Sequence, residues 1–194
     1  AHDKFTAAIA AGKTPDVAMV GTTWMGEFAA SDALDPTPAQ VDKSAFFEGA
    51  QKTTEVNGTS YGIPWYVETR VLFYRTDLAK KAGYDAAPTD WQGLKDMAKA
   101  MQTKAGAKWG IGLQAGGEGS WQTLMPFAWS EGADLTKDGG KAYNFDSPQI
   151  LKAAQYYQSF FTDGISNKAA PATPTTEPDF AKGTVPMFIS GPWM

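Results

Sequence analysis

The residues best able to do chemistry lie in YGIPWYVETRVLFYRTDL, residues 61–78. Glu68 and Arg70 stand two apart, flanked by Trp65, Tyr66, Phe73 and Tyr74. On a strand, residues two apart share a face, so the carboxylate and the guanidinium meet each other or one common ligand. A charge among aromatic side chains is costly unless it is paired or hydrogen-bonded. One reading is a solvated surface ion pair, which adds little stability. The other is a polar clamp in an aromatic cleft, where a carboxylate accepts hydrogen bonds from vicinal hydroxyls and a guanidinium donates to them.

Trp24, Trp65, Tyr66, Trp121 and Trp193 each fall in or beside a loop or a strand end, where functional residues concentrate. Their rings are platforms for flat apolar ligand faces, with core packing as the alternative for each. Trp91, at helical spacing with Leu94 and Ala98, reads as core, and so does Trp109 beside Gly110. AGGEGSW, residues 115–121, is rich in glycine ahead of a helix. It lacks the G-x-x-x-x-G-K-[ST] pattern, and also G-x-G-x-x-G after a strand, so its signal for phosphate is weak. It suits a close approach of Glu118 and the helix start to a neutral ligand. Glu68 and Glu118 are also a carboxylate pair of the kind a glycoside hydrolase needs.

Composition narrows these options. The chain has 194 residues, 43 % hydrophobic and 20 % charged, enough for one large domain or two small ones of ordinary globular type. With 17 basic and 21 acidic residues the net charge is −4, and no basic block invites nucleic acid. There is no cysteine and one histidine, His2. That removes disulfides and thiolate chemistry and argues against histidine-based zinc or triad chemistry. No cofactor or metal is expected. No apolar run approaches the about 18 residues of a transmembrane helix. The opening AHDKFTAAIAAGK is not a signal peptide and reads as the middle of a helix. A strand running straight into Gly191-Pro192-Trp193-Met194 lacks a closing element. The chain is therefore expected to be incomplete at both ends.

The elements that must position these groups mix helix and strand, the pattern of an α/β fold. Residues 3–11 read as an amphipathic helix ending near Gly12. Residues 17–20 read as a short buried strand, and 24–31 and 44–51 as short helices. Asn57-Gly58 is a hairpin signal leading into a strand over 63–74. There Trp65, Val67, Thr69, Val71 and Phe73 face one way, and Tyr66, Glu68, Arg70, Leu72 and Tyr74 the other. TDLAKKAGY is a helix closed by Gly83. A longer helix follows, capped by Thr89 or Asp90, with Trp91, Leu94, Ala98 and Met101 on one face. KWGIGLQ reads as a strand. Ser120 is expected to cap a helix over 121–130 bent at Pro126. Ser147 and Pro148 open another helix, which Gly164 closes. A short helix over 179–182 leads to the strand in TVPMFISGPWM.

Four stretches carry a resemblance in this order: TPDVAMVGTTWMGEFAASDALDPT, NGTSYGIPWYVETRVLFYRTDLAKKAGY, PTDWQGLKDMAKAMQ and FAKGTVPMFISGPWM. Together they resemble the extracellular solute-binding proteins of bacterial ABC importers, in the sugar-binding branch of maltose-, trehalose- and other oligosaccharide-binding proteins. The resemblance runs over nearly the whole chain. It implies a two-lobed, periplasmic-binding-protein-like α/β fold, incomplete here at both ends, with ligand held in the cleft and lobes that close by a hinge. Residues 1–66 would be part of the first lobe and 67–194 most of the second, with the 63–74 strand as the crossover between them.

By the same resemblance, Trp24 would be a sugar-contacting loop residue. Trp65, Tyr66 and Glu68 would face the cleft at the crossover, Glu118 and Trp121 would contribute from the second lobe, and Trp193 would be a stacking platform. Many relatives have another residue at the position of Arg70, which leaves it as a direct ligand contact or an orienting neighbour of Glu68. The implied function is to bind a di- or oligosaccharide and deliver it to the permease subunits of an ABC importer. It would do so without catalysis, as a monomer, in the bacterial periplasm or as a lipoprotein on the cell membrane. The physics agrees: pyranose C–H faces pack on Trp and Tyr, hydroxyl rims call for charged acceptors and donors, and such sites lie between domains that close on a hinge. The alternatives are a glycoside hydrolase using Glu68 and Glu118, and a binder of a non-sugar solute whose anionic group would pair with Arg70.

Overall fold

The computed structural model describes residues 1–117, 119–170 and 177–194. The chain divides into two compact units, Ala1–Val67 and Glu68–Met194.

In the first unit, α1 (His2–Ala10) and α2 (Met25–Ala30) are joined through a single 3-10 turn at Thr22–Trp24. The core is small, with Met25, Phe28 and Ala29 of α2 at its centre. His2 stacks on Phe28 at 5.5 Å, and Phe5 reaches the same ring at 6.2 Å. A second 3-10 turn at Lys43–Ala45, held by Asp42 accepting from the Ser44 backbone N–H, precedes α3 (Glu48–Lys52). The hairpin of β1 (Glu55–Val56) and β2 (Thr59–Ser60) turns at Asn57 and Gly58, with φ of 53° and 80°. Two consecutive left-handed residues are what a two-residue turn needs to match the strand twist.

The expected buried strand at 17–20 is absent. Those residues carry no ladder, and Val17 is 89 % exposed. A strand exists only through a hydrogen-bonded neighbour, and among the described residues the only ladder of this unit is β1 with β2.

The second unit is built on β3 (Val71–Tyr74) and β6 (Met187–Ser190), paired antiparallel from Val71 opposite Ser190 to Tyr74 opposite Met187. A parallel bridge from Gly112 to Phe188 adds the 109–113 segment on the other side of β6. Against these pack α4 (Thr76–Ala82), α5 (Trp91–Thr103), α6 (Trp121–Ser130) and α7 (Pro148–Thr162). Met97, Met101, Ile111, Leu113, Phe160, Ile165 and Met187 are fully enclosed. Each contributes about 1.5–3 kcal/mol through removal of its side chain from water. The hairpin of β4 (Thr136–Lys137) and β5 (Ala142–Tyr143) and the short α8 (Glu177–Lys182) complete the unit.

Local chemistry sets most helix ends. Asp90 accepts from the Gly93 N–H at 2.6 Å, Ser147 caps α7 ahead of Pro148, and Gly83 ends α4 at φ 97°. Ser120 departs from expectation. Its backbone is already helical, with φ −59° and ψ −24°, and its side chain makes no cap bond. An N-cap hydroxyl reaches the helix N–H groups from an extended backbone.

Two expected strands are shorter than the sequence suggests. Of the 63–74 strand only Val71–Tyr74 pairs. Continuing its register would set Thr69 opposite Pro192, and proline has no N–H to donate. KWGIGLQ is reduced to the one bridge because its N–H groups go to different partners. Trp109 donates to Thr184 O, Gly110 to Ile165 O and Gly112 to Met187 O.

Candidate functional site

Antiparallel pairing of β3 with β6 carries the residues just before one strand and just after the other to the same end of the ladder. Arg70 precedes β3, and Gly191-Pro192-Trp193 follows β6. The Arg70 guanidinium carbon lies 4.5 Å from the centre of the Trp193 ring, a distance at which a cation is attracted to the aromatic face. Arg70 Nη2 also donates a hydrogen bond to Gln122 Oε1 in the first turn of α6. Trp193 folds back on its own turn: a Cβ on Gly191 would meet its Cζ3 at 2.2 Å, so the ring sits where only glycine leaves room. Trp193 remains 54 % exposed and Trp121 45 % exposed.

The start of α6 is anchored from beneath. The buried Tyr157 hydroxyl of α7 donates to the Gln114 carbonyl at 2.7 Å and shares a 2.6 Å hydrogen bond with Thr123 Oγ1. Burial pushes the Tyr157 hydroxyl up to about 12, so it stays protonated and able to donate. The loop ahead of α6 passes close to Gln122, since a Cβ on Gly119 would lie 3.3 Å from Gln122 Nε2.

The structure thus brings Arg70 and Trp193 together, with Trp121 adjacent in sequence to the Gln122 that Arg70 grips. Glu68 is half-buried and forms no ion pair among the described residues. Of the two readings of Glu68 and Arg70, the mutual ion pair is absent among the described residues, and Arg70 instead contacts Gln122 and Trp193. Glu118 lies outside the described residues.

Trp24, Trp65 and Tyr66 belong to the first unit. Trp24 closes the 3-10 turn, half-buried, edge-on to His2 at 5.2 Å and to Phe28 at 6.4 Å. Trp65 is 79 % exposed, and Tyr66 is exposed as well. Gln122 was not a sequence candidate. Its only signal is its place beside Trp121, and its partner lies 52 residues earlier.

Exposed rings with fixed polar neighbours can hold a ligand that has apolar faces and a hydroxyl rim. Among the described residues no cluster of His, Asp and Glu could hold a metal ion. None of their helices is long and apolar enough to cross a membrane.

The family model described as bacterial extracellular solute-binding protein matches residues 1–194. The sugar-binding protein MalE of Xanthomonas citri is 32 % identical and superposes with a TM-score of 0.79 over 99 % of this chain and 50 % of that one. An ABC transporter solute-binding protein of Thermotoga lettingae, bound to α-D-tagatose, is 29 % identical with a TM-score of 0.83, over 99 % of this chain and 52 % of that one. The diacetylchitobiose-binding protein DasA of Streptomyces coelicolor is 26 % identical over 99 % of this chain and 45 % of its own length. The chain spans about half the length of the relatives it matches.

Proposed function

The chain belongs to the bacterial extracellular solute-binding protein family, and from that premise we propose that it binds a di- or oligosaccharide and hands it to an ABC importer. Family membership implies a periplasmic or extracellular location. The observation that carries the reading is the exposed Trp193 ring, braced by Arg70 and standing at one end of the β3–β6 ladder. Trp193, Trp121, Trp65 and Tyr66 supply surfaces for pyranose C–H faces. Glu68 supplies a carboxylate without a protein partner among the described residues, ready to accept from ligand hydroxyls. Trp24 and Glu118 are further candidates for ligand contact.

In this reading residues 1–66 form part of one lobe and 67–194 most of the other. The permease subunits are the partners, the protein works as a monomer, and its anchoring is that of a periplasmic protein or a lipoprotein. Relatives named as binding proteins favour capture over hydrolysis.

A thermal-shift screen of the full-length protein over mono-, di- and oligosaccharides tests the proposal. A ligand that binds only the folded state raises the melting temperature progressively with its concentration. A screen with no shift at millimolar sugar would overturn the reading.

A further inference from the structure

We propose that Arg70 is a positioning residue, which orients the Trp193 indole and the Gln122 amide for the ligand instead of meeting the ligand itself. The proposal rests on the sugar-binding reading, because the ring and the amide are taken as the groups that face ligand.

Three separate pieces of chain meet at this guanidinium: the residue before β3, the turn after β6 and the first turn of α6. Arginine alone among cations can hold the other two to its own. Its planar fork lies over an indole and still donates from its edge. A lysine ammonium is a point charge without that fork.

Trp193 depends on this contact. It sits in the turn after Pro192, more than half exposed, and no other aromatic ring of the described residues packs against it. Gly191 gives it a floor, since a Cβ there would collide with the ring. Arg70 gives it the second constraint.

Gln122 is set in the same way. A side-chain amide has a donor end and an acceptor end, and its orientation decides which one a ligand meets. Arg70 engages Oε1, which turns Nε2 toward the Gly119 loop. With Oε1 taken by the guanidinium, the N–H groups are what the amide has left to offer a sugar oxygen. Among the described residues no carboxylate pairs with Arg70, and its contacts are the ring and the amide.

The test uses the full-length protein labelled with fluorotryptophan, with the Trp193 fluorine resonance assigned by its loss in Trp193→Phe. In ligand-free protein, Arg70→Met is expected to move that resonance toward its unfolded position and sharpen it. Gln122→Glu, which keeps an acceptor for the guanidinium, retains the wild-type resonance, and Arg70→Lys falls between. Affinity for a saccharide found in the screen is expected to fall roughly threefold to tenfold in Arg70→Met, the span of a partly exposed cation–aromatic contact. The loss should be equal for neutral and acidic sugars and independent of salt.

An unchanged Trp193 resonance in Arg70→Met overturns the proposal. So does an affinity loss confined to acidic saccharides whose wild-type binding weakens with salt, because Arg70 would then be a direct anion contact. If no saccharide binds the wild type, the sugar reading falls, and the ligand-free resonance still decides the role of Arg70.

Discussion

Gly110 runs so close beneath α5 that a Cβ on it would stand 2.2 Å from the carbonyl oxygen of Ala98. The contact is backbone against backbone, so no side-chain rotation can relieve it. It holds the 109–113 segment against α5, with Ile111 and Leu113 sealed in the core. Gly110→Ala must therefore push strand segment and helix apart. We expect a loss of at least about 1–3 kcal/mol, the usual range for overpacking, read as a lower denaturation midpoint with an unchanged m-value.

The Tyr157 hydroxyl ties α7 to the Gln114 carbonyl and to Thr123 at the start of α6. Tyr157→Phe leaves a part-buried carbonyl with one donor fewer and should cost about 1–3 kcal/mol. The pH dependence follows from the raised pKa. Burial lifts the hydroxyl from 10.0 to about 12, so between these values the unfolded chain gives up its proton before the folded one. The stabilising effect is fully present below pH 10 and is lost as pH rises toward 12. Tyr156 is raised in the same direction, burial again being the main cause. Denaturant titrations from neutral to alkaline pH should show wild-type stability falling above pH 10, with a shallower fall in Tyr157→Phe. Parallel curves would show that Tyr157 does not carry this linkage.

What the sequence made legible was chemistry that acts over a few residues. Asp90 and Ser147 cap helices because their oxygens reach an N–H three residues on. Gly83 and the Asn57-Gly58 pair turn because their backbones tolerate positive φ. Trp91 packs as read, stacked on Tyr156 at 4.6 Å. Pairing was less legible. The alternation over 63–74 is real as a pattern, but the ladder stops at Val71, near the level of Pro192, more than a hundred residues away. The β4–β5 hairpin, turning through Asp138 at φ 55°, carried no strong alternating signal. The aromatic candidates stand out by type and position, and the structure leaves Trp65, Tyr66, Trp121 and Trp193 exposed. Glu68 and Arg70 stood out as a pair, whereas Arg70 turns to Gln122 and Trp193. Contacts that span 52 residues, as from Arg70 to Gln122, are set by the fold and leave no mark on local spacing.

Gly191 separates ring placement from stability. A Cβ there would lie 2.2 Å from Trp193 Cζ3 and 2.3 Å from Cη2. The obstacle is the end of an exposed side chain in a turn, which can swing away. Gly191 itself is buried, but only this movable ring obstructs it, so Gly191→Ala should cost less than the roughly 1–3 kcal/mol of overpacking in a core. It should weaken saccharide binding by roughly tenfold or more, since a displaced stacking ring loses its contact with the sugar. Calorimetric titration beside a thermal melt separates the two effects. Equal affinity in the variant would show that Trp193 is no platform.

Trp65 and Glu68 flank Tyr66 and Val67 where the two units meet in sequence, and replacing either should leave stability nearly unchanged while weakening ligand binding. Trp65 is 79 % exposed, so Trp65→Ala removes little packing and should shift stability by less than about 0.5 kcal/mol. Glu68 is half-buried without an ion-pair partner among the described residues. Glu68→Gln keeps its shape and removes an unpaired charge, so stability should hold or rise slightly. If both face ligand, each variant loses saccharide affinity. Glu68→Gln should lose about tenfold to a hundredfold, since a hydrogen bond to a charged acceptor is worth about 1.5–3 kcal/mol. A Trp65→Ala protein that melts well below wild type, with unchanged affinity, would assign that ring to packing and remove it from the site.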